Sequence, residues 1–166
     1  MMKELQILLV EDVEADFLLV ERQLRRSSLQ ARIRWVKDLE EFSQALLEGN
    51  WEVVLTDYKV PGVDFLESLS MIREKLPRVP VILISGSVGE ETAVELMKQG
   101  LNDFVLKDRL TRLIPAIERS LSEQAEKRRR EEAEQKLPKT NSSCGPCWRG
   151  LPMRSSSRTG FADISI

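Results

Sequence analysis

Four short strings end an apolar run on a residue capable of polar chemistry. Gln6-Ile7-Leu8-Leu9-Val10 stops at Glu11-Asp12, and Val53-Val54-Leu55-Thr56 stops at Asp57. Val81-Ile82-Leu83-Ile84 stops at Ser85-Gly86, and Asp103-Phe104-Val105-Leu106 stops at Lys107. Carboxylates from two such ends can share one hard divalent cation, and Mg²⁺ prefers oxygen ligands while keeping waters and a phosphate oxygen. A lysine adds a compact positive charge suited to phosphate. A serine hydroxyl can hydrogen-bond a phosphoryl oxygen, and the neighbouring glycine lets a ligand approach the backbone. Together these groups would neutralise the charge on a phosphoryl group in transfer, with Asp57 as the carboxylate nucleophile that forms an acyl phosphate. Each residue alone has a plainer role. Asp57 could cap a turn, Glu11-Asp12 could open a helix, Lys107 could be a solvated charge, and Phe104 could be core. The chemistry outranks those roles only if the four ends lie on one rim.

The elements between the strings predict that they do. Phe17, Leu18, Val20 and Leu24 give a helical period from about Glu14 to Ser27. Arg32-Ile33-Arg34-Trp35-Val36 alternates, as suits a strand near a sheet edge. Asp38 with Glu41 three residues on has capping-box spacing, and Gly49 is placed to end the helix that follows. A Pro61-Gly62 turn stops the Asp57 strand and leaves its carboxylate on an exposed rim, free to react. Phe65, Leu66, Leu69 and Ile72 mark a helix over 64–75, closed by Pro77 and Pro80. Another helix spans 90–98 before Gly100, and a last one starts near Thr111 with Pro115 in or just after its first turn, where proline costs little. Five strand–helix alternations imply a doubly wound α/β fold with a five-stranded parallel sheet and helices on both faces. Ligands of such sheets sit beyond the carboxyl ends of the strands.

Composition removes other chemistries. The 166 residues contain no histidine, which excludes His-based triads, His metal sites and a phosphohistidine carried by this chain. Twenty-five Lys and Arg against 27 Asp and Glu leave a formal charge of −2, with no basic excess that would argue for nucleic acid. No apolar run approaches the length of a membrane span, and the first residues lack the apolar stretch of a signal peptide. A cytoplasmic protein without membrane contact is the expectation.

The strings Leu8-Leu9-Val10-Glu11-Asp12, Val54-Leu55-Thr56-Asp57-Tyr58-Lys59-Val60-Pro61-Gly62-Val63-Asp64, Val81-Ile82-Leu83-Ile84-Ser85-Gly86 and Phe104-Val105-Leu106-Lys107 resemble the receiver domain of two-component response regulators. The resemblance covers about residues 4–122. It implies a flavodoxin-like fold and a phosphorylation-activated signalling switch, in which Asp57 accepts a phosphoryl group from a histidine kinase or phosphotransfer protein. It implies Mg²⁺ as the cofactor, held by Glu11, Asp12, Asp57 and the backbone carbonyl of Lys59. Lys107 would pair with the phosphoryl group, Ser85 would move toward it, and Phe104 would follow inward as the second half of the switch. The family pattern is departed from at Glu11, where Asp is commoner, and at Asp108, where a cis proline is usual. Phe65 stands where glycine is usual, and Phe104 lacks a tyrosine hydroxyl common there. The resemblance implies an acceptor with self-phosphorylation and self-dephosphorylation chemistry only, not an enzyme. An output or sensor domain or protein would receive the signal, and homodimerisation is compatible with it. Two rivals remain. An aspartyl-phosphate phosphohydrolase of the haloacid dehalogenase type needs a second acid two residues after the nucleophile, and that position is Lys59. A degenerate receiver serving as a docking scaffold would not need the acidic pair, Asp57, Ser85 and Lys107 all intact.

Residues 1–122 therefore read as the receiver domain and 123–137 as a charged helical extension or linker. In that extension the a/d heptads of a coiled coil are not sustained. Residues 138–166, rich in Ser, Pro, Gly and Arg, read as a disordered tail. Cys144-Gly145-Pro146-Cys147 matches the thioredoxin redox string, but no strand precedes it to place the first thiol at a helix N-terminus. One cysteine pair without histidine cannot close a four-ligand zinc site.

Overall fold

The computed structural model describes residues 4–136. The expectations for residues 138–166, the disordered tail and the Cys144–Cys147 string among them, lie outside the described residues. Strands β1 (Leu5–Val10), β2 (Ala31–Val36), β3 (Val53–Thr56), β4 (Val81–Ser85) and β5 (Asp103–Leu106) alternate with helices α1 (Glu14–Arg26), α2 (Leu39–Glu48), α3 (Phe65–Lys75), α4 (Glu90–Lys98) and α5 (Leu113–Lys136). All strand pairs are parallel, in the order β2-β1-β3-β4-β5. This is the expected doubly wound, flavodoxin-like sheet with an extended last helix.

The central strands β1, β3 and β4 are predominantly apolar because both faces of the sheet are covered there. Period-two alternation sends their residues to two cores. Ile7 and Leu9, Val53 and Leu55, and Ile82 and Ile84 pack with Val20 and Leu24 of α1 and with Leu113 and Ile117 of α5. Leu8 and Val10, Val54, and Val81 and Leu83 pack with Phe42, Leu69, Ile72 and Leu96 of the other three helices. The division follows from right-handed crossovers. The chain steps one way from β1 to β2 and then reverses direction to reach β3, so α1 lies on one face and α2, α3 and α4 lie on the other. Truncating a fully buried leucine such as Leu55 in such a core costs about 2–5 kcal/mol.

Local chemistry ends the elements largely where the sequence places them. Asp38 caps α2 by accepting the Glu41 N–H at 2.9 Å. The return bond of the expected capping box is displaced by one residue, since the Glu41 carboxylate accepts the Lys37 N–H at 2.9 Å. Gly49 closes α2 in the left-handed region (φ 70°). Asp64 caps α3 through the Glu67 N–H. β2 is indeed an edge strand. The last helix differs from expectation at its start: two short 3-10 turns over Lys107–Arg112, interrupted at Arg109, precede α5. Pro115 consequently falls in the first turn of α5, where its missing N–H costs nothing.

The far end of the sheet is pinned by Arg73 of α3. Its guanidinium donates to the carbonyls of Gly100 and Val79 (2.9 Å to the latter) and to Asn102 Oδ1 (2.6 Å). That same Asn102 oxygen accepts the Val81 N–H at 2.9 Å, so one half-buried cation ties α3 to the segments that lead into β4 and β5. No described helix is long and apolar enough to cross a membrane.

Candidate functional site

The strand order puts β1 beside β3, with Leu9 opposite Leu55 and Val10 opposite Thr56. The chain departs from β1 and β3 in opposite directions, which opens a crevice at their carboxyl ends. The Glu11 N–H donates to the Val36 carbonyl (3.1 Å) and the Asp57 N–H to the Val10 carbonyl (2.9 Å). Both acidic positions are thereby anchored to the end of the ladder. Beyond Asp57, Val63 donates back to the Val60 carbonyl at 3.0 Å across Pro61-Gly62. Gly62 takes the positive φ (74°) that such a turn demands at its third position.

Glu11, Asp12 and Asp57 each offer a carboxylate oxygen, and the three atoms lie within 4.8 Å of one another. Asp57 is not free as expected: only about 10% of its side chain is exposed, and both its oxygens are engaged. Its Oδ1 accepts the Tyr58 N–H at 2.6 Å, and its Oδ2 accepts from Lys107 Nζ at 2.8 Å. Glu11 is arranged the same way. Its Oε1 accepts the Val13 N–H at 3.1 Å and its Oε2 accepts from Lys107 Nζ at 2.9 Å. The third Lys107 bond goes to Asp16 Oδ2 at 2.5 Å. One ammonium therefore spends all three of its donors on three carboxylates from β1's end, α1 and β3's end.

Burial pulls the Lys107 ammonium down, but its bonds to Asp16, Asp57 and Glu11 outweigh that and hold its pKa above the ordinary lysine value. For Glu11 burial wins over the Lys107 and Val13 bonds, and the carboxyl is raised above its usual 4.5. A carboxyl raised by folding stabilises the fold below its unfolded pKa and loses that contribution as pH rises through the folded value. The charged form of Glu11 thus costs stability at neutral pH. In metal-free buffer, Glu11→Gln is expected to unfold at a higher denaturant concentration than the parent at pH 7. At pH 4 the advantage should disappear. A variant less stable than the parent at both pH values would contradict the assignment.

The remaining predicted residues have distinct places. Ser85, buried at the end of β4, accepts the Ser87 N–H on its Oγ at 3.3 Å and is not among the partners of Lys107. Phe104, opposite Leu83 on β5, is half-buried against the core on the α2–α4 face. Lys59 is exposed on the loop after β3. Lys107 does not end β5, which stops at Leu106; it opens the 3-10 turn. The Lys107–Asp108 bond is trans. Phe65 is buried and tilts against Tyr58, ring centroids 5.4 Å apart.

Two contributors escaped sequence reasoning. Asp16 lies four residues after Asp12, a spacing that was legible once α1 was assigned. Trp35 gave no such signal. Its indole N–H donates to the Glu11 carbonyl at 2.6 Å, while its ring stacks on Phe17 at 4.3 Å with the Lys37 ammonium 4.1 Å from its centroid.

The donor set is all hard oxygen, which fits Mg²⁺ better than a softer metal. Comparisons with known proteins give the family of the chain. The family model of the response regulator receiver domain matches residues 7–118, which include Glu11, Asp12, Asp57, Ser85, Phe104 and Lys107. The probable methanogenesis regulatory protein FilR2 of Methanothrix harundinacea is 31% identical over 109 residues, covering 61% of this chain and 70% of that one. The transcriptional regulatory protein ResD of Bacillus subtilis is 31% identical over 107 residues, 63% of this chain but only 42% of ResD. Among solved structures, the receiver domain of NtrX from Brucella abortus superposes with a TM-score of 0.61 at 32% identity, over 70% of this chain and 98% of that one. The longer NtrX structure bound to ATP gives a TM-score of 0.71 at 29% identity, over 79% of this chain and 30% of that one. This chain thus spans less than half of ResD and under a third of the longer NtrX. With the model match over most of its length and the acidic triad and lysine in place, the chain belongs to the response regulator receiver domain family.

Proposed function

We propose that this chain is the phosphoacceptor switch of a two-component or phosphorelay system. Asp57 takes a phosphoryl group from the phosphohistidine of a kinase or phosphotransfer protein. In that step an Asp57 carboxylate oxygen forms the new O–P bond, the N–P bond of the donor breaks, and the imidazole leaves with its electron pair. The chain itself would not act as an enzyme on a separate substrate. Membership of the family supports the signalling role, and the observation that carries the acceptor assignment is Lys107 Nζ lying 2.8 Å from Asp57 beside the Glu11–Asp12 pair. Glu11, Asp12 and Asp57 would hold Mg²⁺ together with the Lys59 carbonyl, and the ion would neutralise charge on the transferring oxygens. Lys107 would take the charge of the bound phosphoryl group, and Ser85 and Phe104 would respond to it. ResD and NtrC among the relatives are named as transcriptional regulators, which supports a DNA-binding output domain or protein as the recipient of the signal. The working place would be the cytoplasm. Incubation with a small acyl phosphate and Mg²⁺, read by intact mass, tests the proposal. One base-labile phosphoryl group is the expected result, and a base-stable phosphoester would refute it.

The lifetime of that phosphoryl group depends on what water can do beside it. In the family the flanking positions are two residues after the acceptor and two after the switch hydroxyl, here Lys59 and Ser87. Neither presents a carboxylate or amide to orient water. The ammonium of Lys59 donates hydrogen bonds but cannot accept a proton, and its stem can screen the in-line path. Slow self-dephosphorylation is expected, and Lys59→Asn should shorten the lifetime. Decay of phospho-Asp57 in excess Mg²⁺ after donor removal is the measurement; equal rates for the two proteins would exclude Lys59 as the determinant.

A further inference from the structure

Lys107 stands in the way of the metal reading. The backbone N–H groups of Val13 and Tyr58 already hold one oxygen each of Glu11 and Asp57. Of the oxygens of these two groups, Glu11 Oε2 and Asp57 Oδ2 have no backbone donor, and both accept from Lys107. A divalent cation and the ammonium compete for the same pair. The third partner, Asp16, is outside the three-carboxylate set. Its side chain is about 26% exposed and is carried on the first turn of α1, so its position is fixed by a helix rather than by the loops at the strand ends. The amino end of α1, which also carries Glu14, favours the negative charge there.

We propose that Asp16 is a positioning residue that parks Lys107 clear of the metal ligands. With Asp16 present, the ammonium can give up Glu11 and Asp57 and keep a charged partner 2.5 Å away, so the exchange leaves it neither unpaired nor displaced from the rim. From there one or two of its donors are released for the phosphoryl oxygens on Asp57. Without Asp16, freeing the two carboxylates would strand a half-buried cation, its side chain about 19% exposed. The inference rests on the Mg²⁺ reading given above.

The test is a double-mutant cycle on Mg²⁺ affinity, measured by isothermal titration calorimetry on the full chain at fixed pH and ionic strength. Asp16→Asn keeps the shape and removes the charge. In the parent it should weaken Mg²⁺ binding roughly five- to tenfold, a coupling in the usual range for groups in direct contact. In the Lys107→Ala background it should change the affinity by no more than about twofold, the residue of through-space charge in a screened site. Asp16→Glu should restore most of the parent affinity. An equal loss in both backgrounds would reduce Asp16 to a distant charge and overturn the parking role while leaving the metal site standing. Failure of the parent to bind Mg²⁺ at all would overturn both.

Discussion

Asp57→Asn is expected to take up no phosphoryl group under conditions that load the parent fully. The amide cannot supply the anionic oxygen that attacks phosphorus, so the loss should be complete rather than graded. The substitution is nearly isosteric, and its carbonyl oxygen can keep the Tyr58 N–H bond that Asp57 Oδ1 makes at 2.6 Å. It also removes one of three carboxylates whose oxygens crowd within 4.8 Å, which relieves like-charge repulsion. The Lys107 bond to Oδ2 is lost, but Lys107 keeps Glu11 and Asp16; the variant should fold with unchanged circular dichroism, so that loss of labelling cannot be blamed on unfolding. Intact mass after incubation with the small acyl phosphate and Mg²⁺ gives the answer. Labelling of Asp57→Asn at the parent's yield would place the acceptor elsewhere.

Lys107→Ala is expected to move two properties in opposite directions. Lys107 is the one cation bonded to Glu11 and Asp57 among the described residues. Its loss removes the charge poised for the phosphoryl oxygens, and a preorganised group of that kind is worth on the order of a hundredfold in rate. Uptake from the phosphodonor should slow by about that factor. Mg²⁺ binding should tighten, because the competitor for Glu11 Oε2 and Asp57 Oδ2 is gone. A protein that was merely misfolded would bind the metal worse and accept the phosphoryl group worse together. An unchanged rate of phosphorylation would show that the ammonium is a structural counterion and nothing more.

The sequence by itself determined the parts. Apolar runs of four to six residues, too short for a helix and bounded by turn residues, read as strands buried on both faces, as Val53–Thr56 and Val81–Ser85 are. Asp38 and Asp64 set helix starts through local bonds, and Gly49 sets a helix end through its left-handed backbone; none of these needs a tertiary partner. Glu11, Asp12, Asp57 and Lys107 were legible because each interrupts an apolar run where a strand must stop. The tertiary structure decided how the parts meet. Neighbours in a parallel sheet are chosen by crossover handedness and packing rather than by chain order, and that choice set β3, with Asp57 at its end, beside β1 on the side away from β2. Burial of Glu11 to about 3% exposure, which raises its pKa, comes from the layers around it and not from its neighbours in sequence. Asp16 and Trp35 entered the site through one helix turn and one edge strand, as side chains whose local patterns read as solvated and half-buried. The convergence of Lys107 on three carboxylates, the closest in sequence of them Asp57, exists only in the folded chain, because ammonium donors reach oxygens by distance and not by spacing along the backbone.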